Sequence, residues 1–221
     1  MNFKRIVILC GHYGSGKTNV ALNLAYMLKK QDDNLVMLDL DIVNPYFRTK
    51  DSINELKEAG IKLIVSEFAN SNVDIPALPQ EMYAVTDNKN LKAVLDVGGD
   101  DRGALALGRL SESIISEGNY EMLMVINCYR PLTRDANSTI EVMREIEAAA
   151  KIKFTGLVNN SNLGRETSAE DVLTSVSYAE EVSKKSGLDI KLTTVNEGLF
   201  AELDGKIPNL FSMKLQKNLL I

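Results

Sequence analysis

The chain has 221 residues, 45% of them hydrophobic, enough to bury one sizeable core and leave little for a second, so a single domain over 1–221 is expected. Its formal net charge of −5 gives no broad basic field for a phosphate backbone, which disfavours nucleic acid as a partner. No apolar run approaches the ~18 residues of a membrane span, and the N-terminus enters a strand-like run at once, so neither signal peptide nor membrane helix is expected and the chain reads as soluble and cytoplasmic.

In chain order, short apolar runs alternate with helical periods, the signature of a parallel sheet with crossover helices. KRIVILC (4–10) reads as a buried strand, and a helix over 17–30 follows, with Val20, Leu24 and Met27/Leu28 on one face. LVMLDLD (35–41), IKLIV (61–65), KAVLDV (92–97), MLMVIN (122–127), FTGLVN (154–159) and IKLTTV (190–195) supply six more strands, rich in branched residues. The expected fold is therefore α/β, a mostly parallel seven-stranded sheet with helices on both faces. Helices are expected over 52–59, 103–117, 135–150 and 169–186, stopped by Gly60, Gly118 and Gly187, with Thr133 and Ser168 as N-caps. The one long irregular piece, SEFANSNVDIPALPQ (66–80), has the length of a functional loop. Cys10 and Cys128 lie far apart in apolar runs and read as reduced core thiols.

Three motifs carry chemistry. GHYGSGKT (11–18) fits G-x-x-x-x-G-K-[ST] between a buried strand and a helix, the context that a P-loop requires. Gly11, Gly14 and Gly16 let successive N–H groups turn inward toward phosphate oxygens, and the helix adds its positive end. Lys17 would neutralise the β and γ phosphates and the Thr18 hydroxyl would hold magnesium, so the nucleotide-contacting set is Gly11, His12, Tyr13, Gly14, Ser15, Gly16, Lys17, Thr18 and Asn19. In VMLDLDIVNPYFR, Asp39 and Asp41 emerge at the carboxyl edge of the sheet, on one side of the strand, where a cation could offset their repulsion. In KAVLDVGGDD, Asp96 ends a buried strand as the partner of a P-loop magnesium, and Gly99 lets a backbone N–H approach a γ phosphate.

KTNVALNLAYMLKKQDDNLVMLDLDIVNP resembles the MinD/ParA group of P-loop ATPases, relatives of the nitrogenase iron protein and of the dethiobiotin and cobyrinic acid synthases, and the likeness covers most of 1–165. The resemblance implies a P-loop NTPase fold binding Mg-ATP, with the P-loop strand beside the strand that carries Asp96. It further implies that Asp41 orients the attacking water, Asp39 lies near the metal, Asp96 supports magnesium and Gly99 senses the γ phosphate. GLVNNSNLGRET is similar to the iron protein's segment in which an asparagine meets adenine; the matching residue is Asn160, with Asn159 the neighbouring candidate. The guanine-reading N-K-x-D is absent, since Ser161 follows Asn160, which favours ATP over GTP.

Active dimers of this group, as the resemblance implies, reach across to the partner's ATP with a lysine at the second loop position, where this chain has His12. A mostly neutral, shorter imidazole is a poor substitute for a fixed cation, so His12 is expected to pack or donate one hydrogen bond at the loop. Arg130 and Arg134 in NCYRPLTRD leave a strand at the carboxyl edge, where they could meet an anion, and Arg48 and Arg102 occupy segments that would respond to nucleotide state. The tail NLFSMKLQKNLLI (209–221) projects poorly as an amphipathic helix and is expected to pack on the core and not to anchor in a membrane. Two functions follow: a nucleotide-switch ATPase acting on a protein partner, with a homodimer possible, or an ATP-dependent biosynthetic enzyme activating a carboxylate. A metallochaperone is disfavoured, because one histidine and two separated cysteines are poorly equipped to handle metal.

Overall fold

The computed structural model describes residues 1–41, 50–65, 80–99 and 101–215. Within them the apolar runs form β1 (Ile6–Cys10), β2 (Leu35–Leu40), β3 (Lys62–Val65), β4 (Lys92–Val97), β5 (Tyr120–Ile126), β6 (Gly156–Asn159), β7 (Ile190–Asn196) and β8 (Leu210–Met213). They make one sheet in the order β3-β2-β4-β1-β5-β6-β7-β8, and every pairing is parallel. The helices are α1 (Lys17–Lys29), α2 (Lys50–Glu58), α3 (Gln80–Asp87), α4 (Asp101–Gly108), α5 (Ser111–Glu117), α6 (Ala136–Ala150), α7 (Ala169–Ser186) and α8 (Glu197–Leu203).

Strand alternation sends the sheet's side chains into two cores. Val7, Leu9, Met37 and Val94 pack against Val20, Leu24 and Leu28 of α1 and Leu56 of α2. The intervening residues Ile8, Leu38 and Leu95 pack on the other face with Met82, Leu107, Ile114, Met143 and Val182 from α3 to α7. A smaller cluster joins Val172, Val195 and Leu203 where α8 covers the last strands. Burial on both faces explains why the strands read as continuous apolar runs, and the layers are those of a P-loop NTPase fold.

Several expectations change. The sheet has eight strands, one more than the seven expected. The extra strand, β8, buries Phe211 and Met213 and exposes Ser212, so the period of the tail at 210–213 is two and not 3.6. This part of the tail packs on the core as expected; 216–221 lie outside the described residues. The helix expected at 103–117 is two, broken where Arg109 and Leu110 bond back to Ala106 and Leu107 and where Gly108 packs tightly against α6. Asp135, and not Thr133, caps α6, its Oδ1 accepting from Asn137 N and Ser138 N at 3.0 Å. Thr133 is instead buried in a short 3-10 turn, donating to Asn127 O at 2.8 Å. Ser168 does cap α7, in a capping box with Asp171. Helices α3 and α8 were not anticipated; both are short, with eight and seven residues. Cys10 is buried as expected, Cys128 is only half-buried, and both thiols are free. Arg48 and all but the last residue of the 66–80 loop lie outside the described residues.

Candidate functional site

The loop from Gly11 to Gly16 joins β1, a central strand, to α1 at the carboxyl edge, where ligands of open α/β sheets bind. Gly14 and Gly16 have φ of 77° and 85°, in the left-handed region that glycine adopts without strain. Ser15 N bonds back to His12 O at 3.1 Å and closes the turn. Helix α1 begins without a side-chain cap and without an acidic residue in its first turn, so its first amides are left for an anion. Two backbone approaches pin the entrance: a Cβ on Gly11 would stand 2.4 Å from Val125 O, and one on Gly99 would stand 1.9 Å from Gly11 O. The glycine at 99 is therefore required by packing of the segment after β4 onto the loop, whatever else its N–H does.

The carboxylates converge as the strand spacing demands. Asp39 and Asp96 are Cα partners across β2 and β4, and β4 in turn lies beside β1, with Leu9 opposite Asp96. Both aspartates project to the α1 face, because they alternate with Leu38, Leu40, Leu95 and Val97 on the other. Thr18 Oγ1 donates to Asp96 Oδ2 at 2.6 Å, Asp41 N donates to Asp39 Oδ1 at 2.9 Å, and Lys17 Nζ lies 4.0 Å from Asp41 Oδ2. Lys17 also reaches His12 O at 3.5 Å. Asp96 is fully buried, and its Oδ1, like Ser15 Oγ, has no hydrogen-bond partner among the described residues. Burial pushes the Asp96 carboxyl up to about 6, aided by the Asp41 charge and opposed by Lys17 and the Thr18 hydroxyl. Burial likewise lifts the Cys10 thiol beneath the loop to about 12, leaving it inert as a nucleophile.

The remaining predicted residues divide. His12 is half-buried, and its Nδ1 lies 2.9 Å from Tyr13 O; a carbonyl only accepts, so Nδ1 carries the proton. Tyr13 projects into solvent at 67% exposure, while Asn19 is buried and its carbonyl accepts from Asn23 Nδ2 at 2.8 Å. Asn160 does reach the loop, its side chain meeting the loop's backbone: Nδ2 donates to Ser15 O at 2.6 Å and Oδ1 accepts from Thr194 Oγ1 at 2.5 Å. Asn159 is turned inward to Ser175 Oγ at 2.9 Å and Ser161 N at 3.2 Å. Arg130 crosses to the loop, Nε donating to Gly14 O at 2.8 Å, whereas Arg134 stays on the surface 3.9 Å from Asp135. Arg102 is exposed at the start of α4. Sequence reasoning missed Thr194 and Asn127, a fully buried amide that organises the turn after β5. The signal for both was a polar residue in or directly after a buried apolar strand.

Residues 6–188 match the family model described as the CobQ/CobB/MinD/ParA nucleotide binding domain. No curated protein matches the sequence significantly. Among solved structures, chloroplast FtsY from Physcomitrella patens superposes with a TM-score of 0.58 at 17% identity, over 87% of this chain and 59% of that one. The cell division protein FtsY from Thermotoga maritima gives 0.58 at 18%, over 87% and 62%. The signal recognition particle receptor FtsY from Elizabethkingia anophelis, in complex with GDP, gives 0.51 at 14%, over 88% and 58%. This chain thus spans about three fifths of the length of those proteins, and at such identities the likeness is one of fold. A match that runs from β1 past the end of α7 and takes in the loop, its helix and the carboxylate strands makes this chain a member of the CobQ/CobB/MinD/ParA family of nucleotide-binding P-loop domains.

Proposed function

We propose that the chain, as a single domain, binds Mg-ATP at the loop from Gly11 to Asn19 and hydrolyses it slowly, as a cytoplasmic switch whose nucleotide state sets its affinity for a protein partner. The observation that carries this is the buried Asp96 carboxylate, with Oδ2 on the Thr18 hydroxyl and Oδ1 without a partner among the described residues. A buried charge so placed calls for a cation. No group of three or more His, Cys, Asp or Glu forms a metal cage among the described residues. The donors present, the Thr18 hydroxyl with the buried Asp96 and Asp39 carboxylates beside it, suit magnesium, which keeps waters and takes most of its remaining ligands from phosphate oxygens. Thr18 would hold the ion, supported by Asp96 and Asp39, and the bound ion would draw charge from the β and γ phosphates. Lys17 would bridge those phosphates, Asp41 would orient the attacking water, and Gly99, pressed on the loop, would report the γ phosphate to the segment after β4.

ATP is favoured over GTP because no lysine follows Asn160. Asn160 keeps one Nδ2 hydrogen without a partner among the described residues and is the candidate for the base, with Asn159 beside it. His12, held at the loop by its bond to Tyr13 O, supports a switch that works without a lysine reaching into a partner subunit. The same residue favours a second reading, an ATP-dependent enzyme activating a carboxylate, since the synthases of this family also lack that lysine. Titration of a fluorescent ATP analogue, with and without magnesium and against ATP and GTP competitors, tests the assignment. Lys17→Ala should abolish tight binding, and Asp41→Asn should bind without turnover. Equal weak binding of both nucleotides would count against the base assignment, and an Asp41→Asn protein as fast as the parent would remove Asp41 from the mechanism. Turnover that requires a small carboxylic acid would select the second reading.

A further inference from the structure

After β5 the chain turns sharply through residues 127–133 under the control of Asn127, whose Oδ1 accepts from Tyr129 N at 3.0 Å. Its carbonyl accepts from Thr133 Oγ1 at 2.8 Å and Arg130 N at 3.2 Å. This turn throws Arg130, with extended backbone at φ −110° and ψ 138°, back over the phosphate loop. Its Nε donates to Gly14 O at 2.8 Å, and a Cβ on Gly14 would stand 3.5 Å from the same nitrogen. The two terminal nitrogens of the guanidinium have no partner among the described residues, so four forked N–H donors remain unspent. A fixed charge thus rests on the loop beside His12, whose own Nδ1 proton is committed to Tyr13 O.

Resting on the nucleotide reading above, we propose that Arg130 is a catalytic residue of this site, a cation supplied within the same chain that meets the bridging oxygen between the β and γ phosphates. In hydrolysis the water oxygen bonds to the γ phosphorus as the bond from that phosphorus to the bridging oxygen breaks. The electron pair stays on the diphosphate, and both protons of the water leave with inorganic phosphate as dihydrogen phosphate. Negative charge grows on the bridging oxygen along this path, so a guanidinium held there binds the transition state more tightly than the ground state. Arginine fingers contribute about 10³–10⁵-fold; Arg130 is half-exposed, and solvent screening lowers the expectation to roughly 10²-fold.

The test is single-turnover hydrolysis of Mg-ATP by the full chain, with ADP binding measured in the presence and absence of aluminium fluoride as the transition-state mimic. Arg130→Gln keeps an amide that can donate to Gly14 O and removes the charge. It should bind ATP within about threefold of the parent, lose about 100-fold in rate and lose the tightening by aluminium fluoride, at an unchanged melting temperature. Arg130→Lys should recover part of the rate, and the parent's rate per molecule should not change on hundredfold dilution. An Arg130→Gln protein that binds and hydrolyses like the parent overturns the proposal and leaves the nucleotide site standing. So does a rate loss matched by lost thermal stability and unrelieved by lysine, which marks a structural clamp, or a rate that falls on dilution, which marks a cation from a second copy. A parent that fails to bind Mg-ATP removes both readings.

Discussion

Replacing Asp96 by asparagine should move the stability difference between the two nucleotide-free proteins in the variant's favour as pH rises toward neutrality. The Asp96 carboxyl rises from its ordinary 3.8 to about 6 because burial penalises its charge more than Lys17 and Thr18 favour it. A group whose pKa is raised on folding contributes its full stability below the unfolded value and loses it as pH climbs through the folded one. For Asp96 that window runs from about pH 4 to 7. At about 1.36 kcal/mol per pH unit, ionised Asp96 costs the fold about 3 kcal/mol at pH 7.5 and under about 1 kcal/mol at pH 4.0. Asparagine does not titrate and can still accept from Thr18. Urea unfolding of both proteins without nucleotide or metal should therefore show the stability difference moving in the variant's favour by roughly 2 kcal/mol between pH 4.0 and 7.5, whatever the pH-independent effect of the new amide. Magnesium with ATP should stabilise the parent and not the variant. A difference that stays flat across this range, or that moves toward the parent as pH rises, would refute the account of Asp96 as a buried charge held in readiness for a cation.

Gly99→Ala places a methyl where the Gly11 carbonyl now stands, 1.9 Å away, so the loop must shift; nucleotide affinity should fall at least about tenfold while the far-ultraviolet dichroism is kept. Thr194→Val leaves Asn160 Oδ1 buried without its donor and should cost about 1–3 kcal/mol in urea unfolding, with Thr194→Ser recovering most of it. Ser168→Ala removes the capping box at the start of α7 and should cost about 1 kcal/mol in urea unfolding, with Ser168→Thr recovering most of it.

Much of the candidate site's geometry was legible because its parts are local or periodic. The loop glycines, Lys17 and Thr18 act within one strand-to-helix turn, and the D-x-D of Asp39 and Asp41 and the placement of Asp96 follow from strand alternation and from both strands ending at the same edge. The errors came where a local signal was ambiguous. Thr133 and Asp135 both resemble caps, and only the buried bond from Thr133 to Asn127 O separates them. The tail does not declare its strand period, although Phe211 and Met213 alternate, because a run of four residues is too short to do so before a neighbour, β7, accepts it.

The sequence by itself determined that a P-loop, a carboxylate ending a buried neighbouring strand and a parallel sheet belong together in this chain, since each depends on neighbours within a few residues or on a repeat of two or 3.6. Only the tertiary structure decided that Arg130 lies on Gly14, that Asn160 braces Ser15 from below and is itself held by Thr194, and that Gly99 abuts Gly11. Those contacts join segments separated by 34 to 145 positions, and what brings them into register is burial of the whole sheet between its helices, which no single segment encodes.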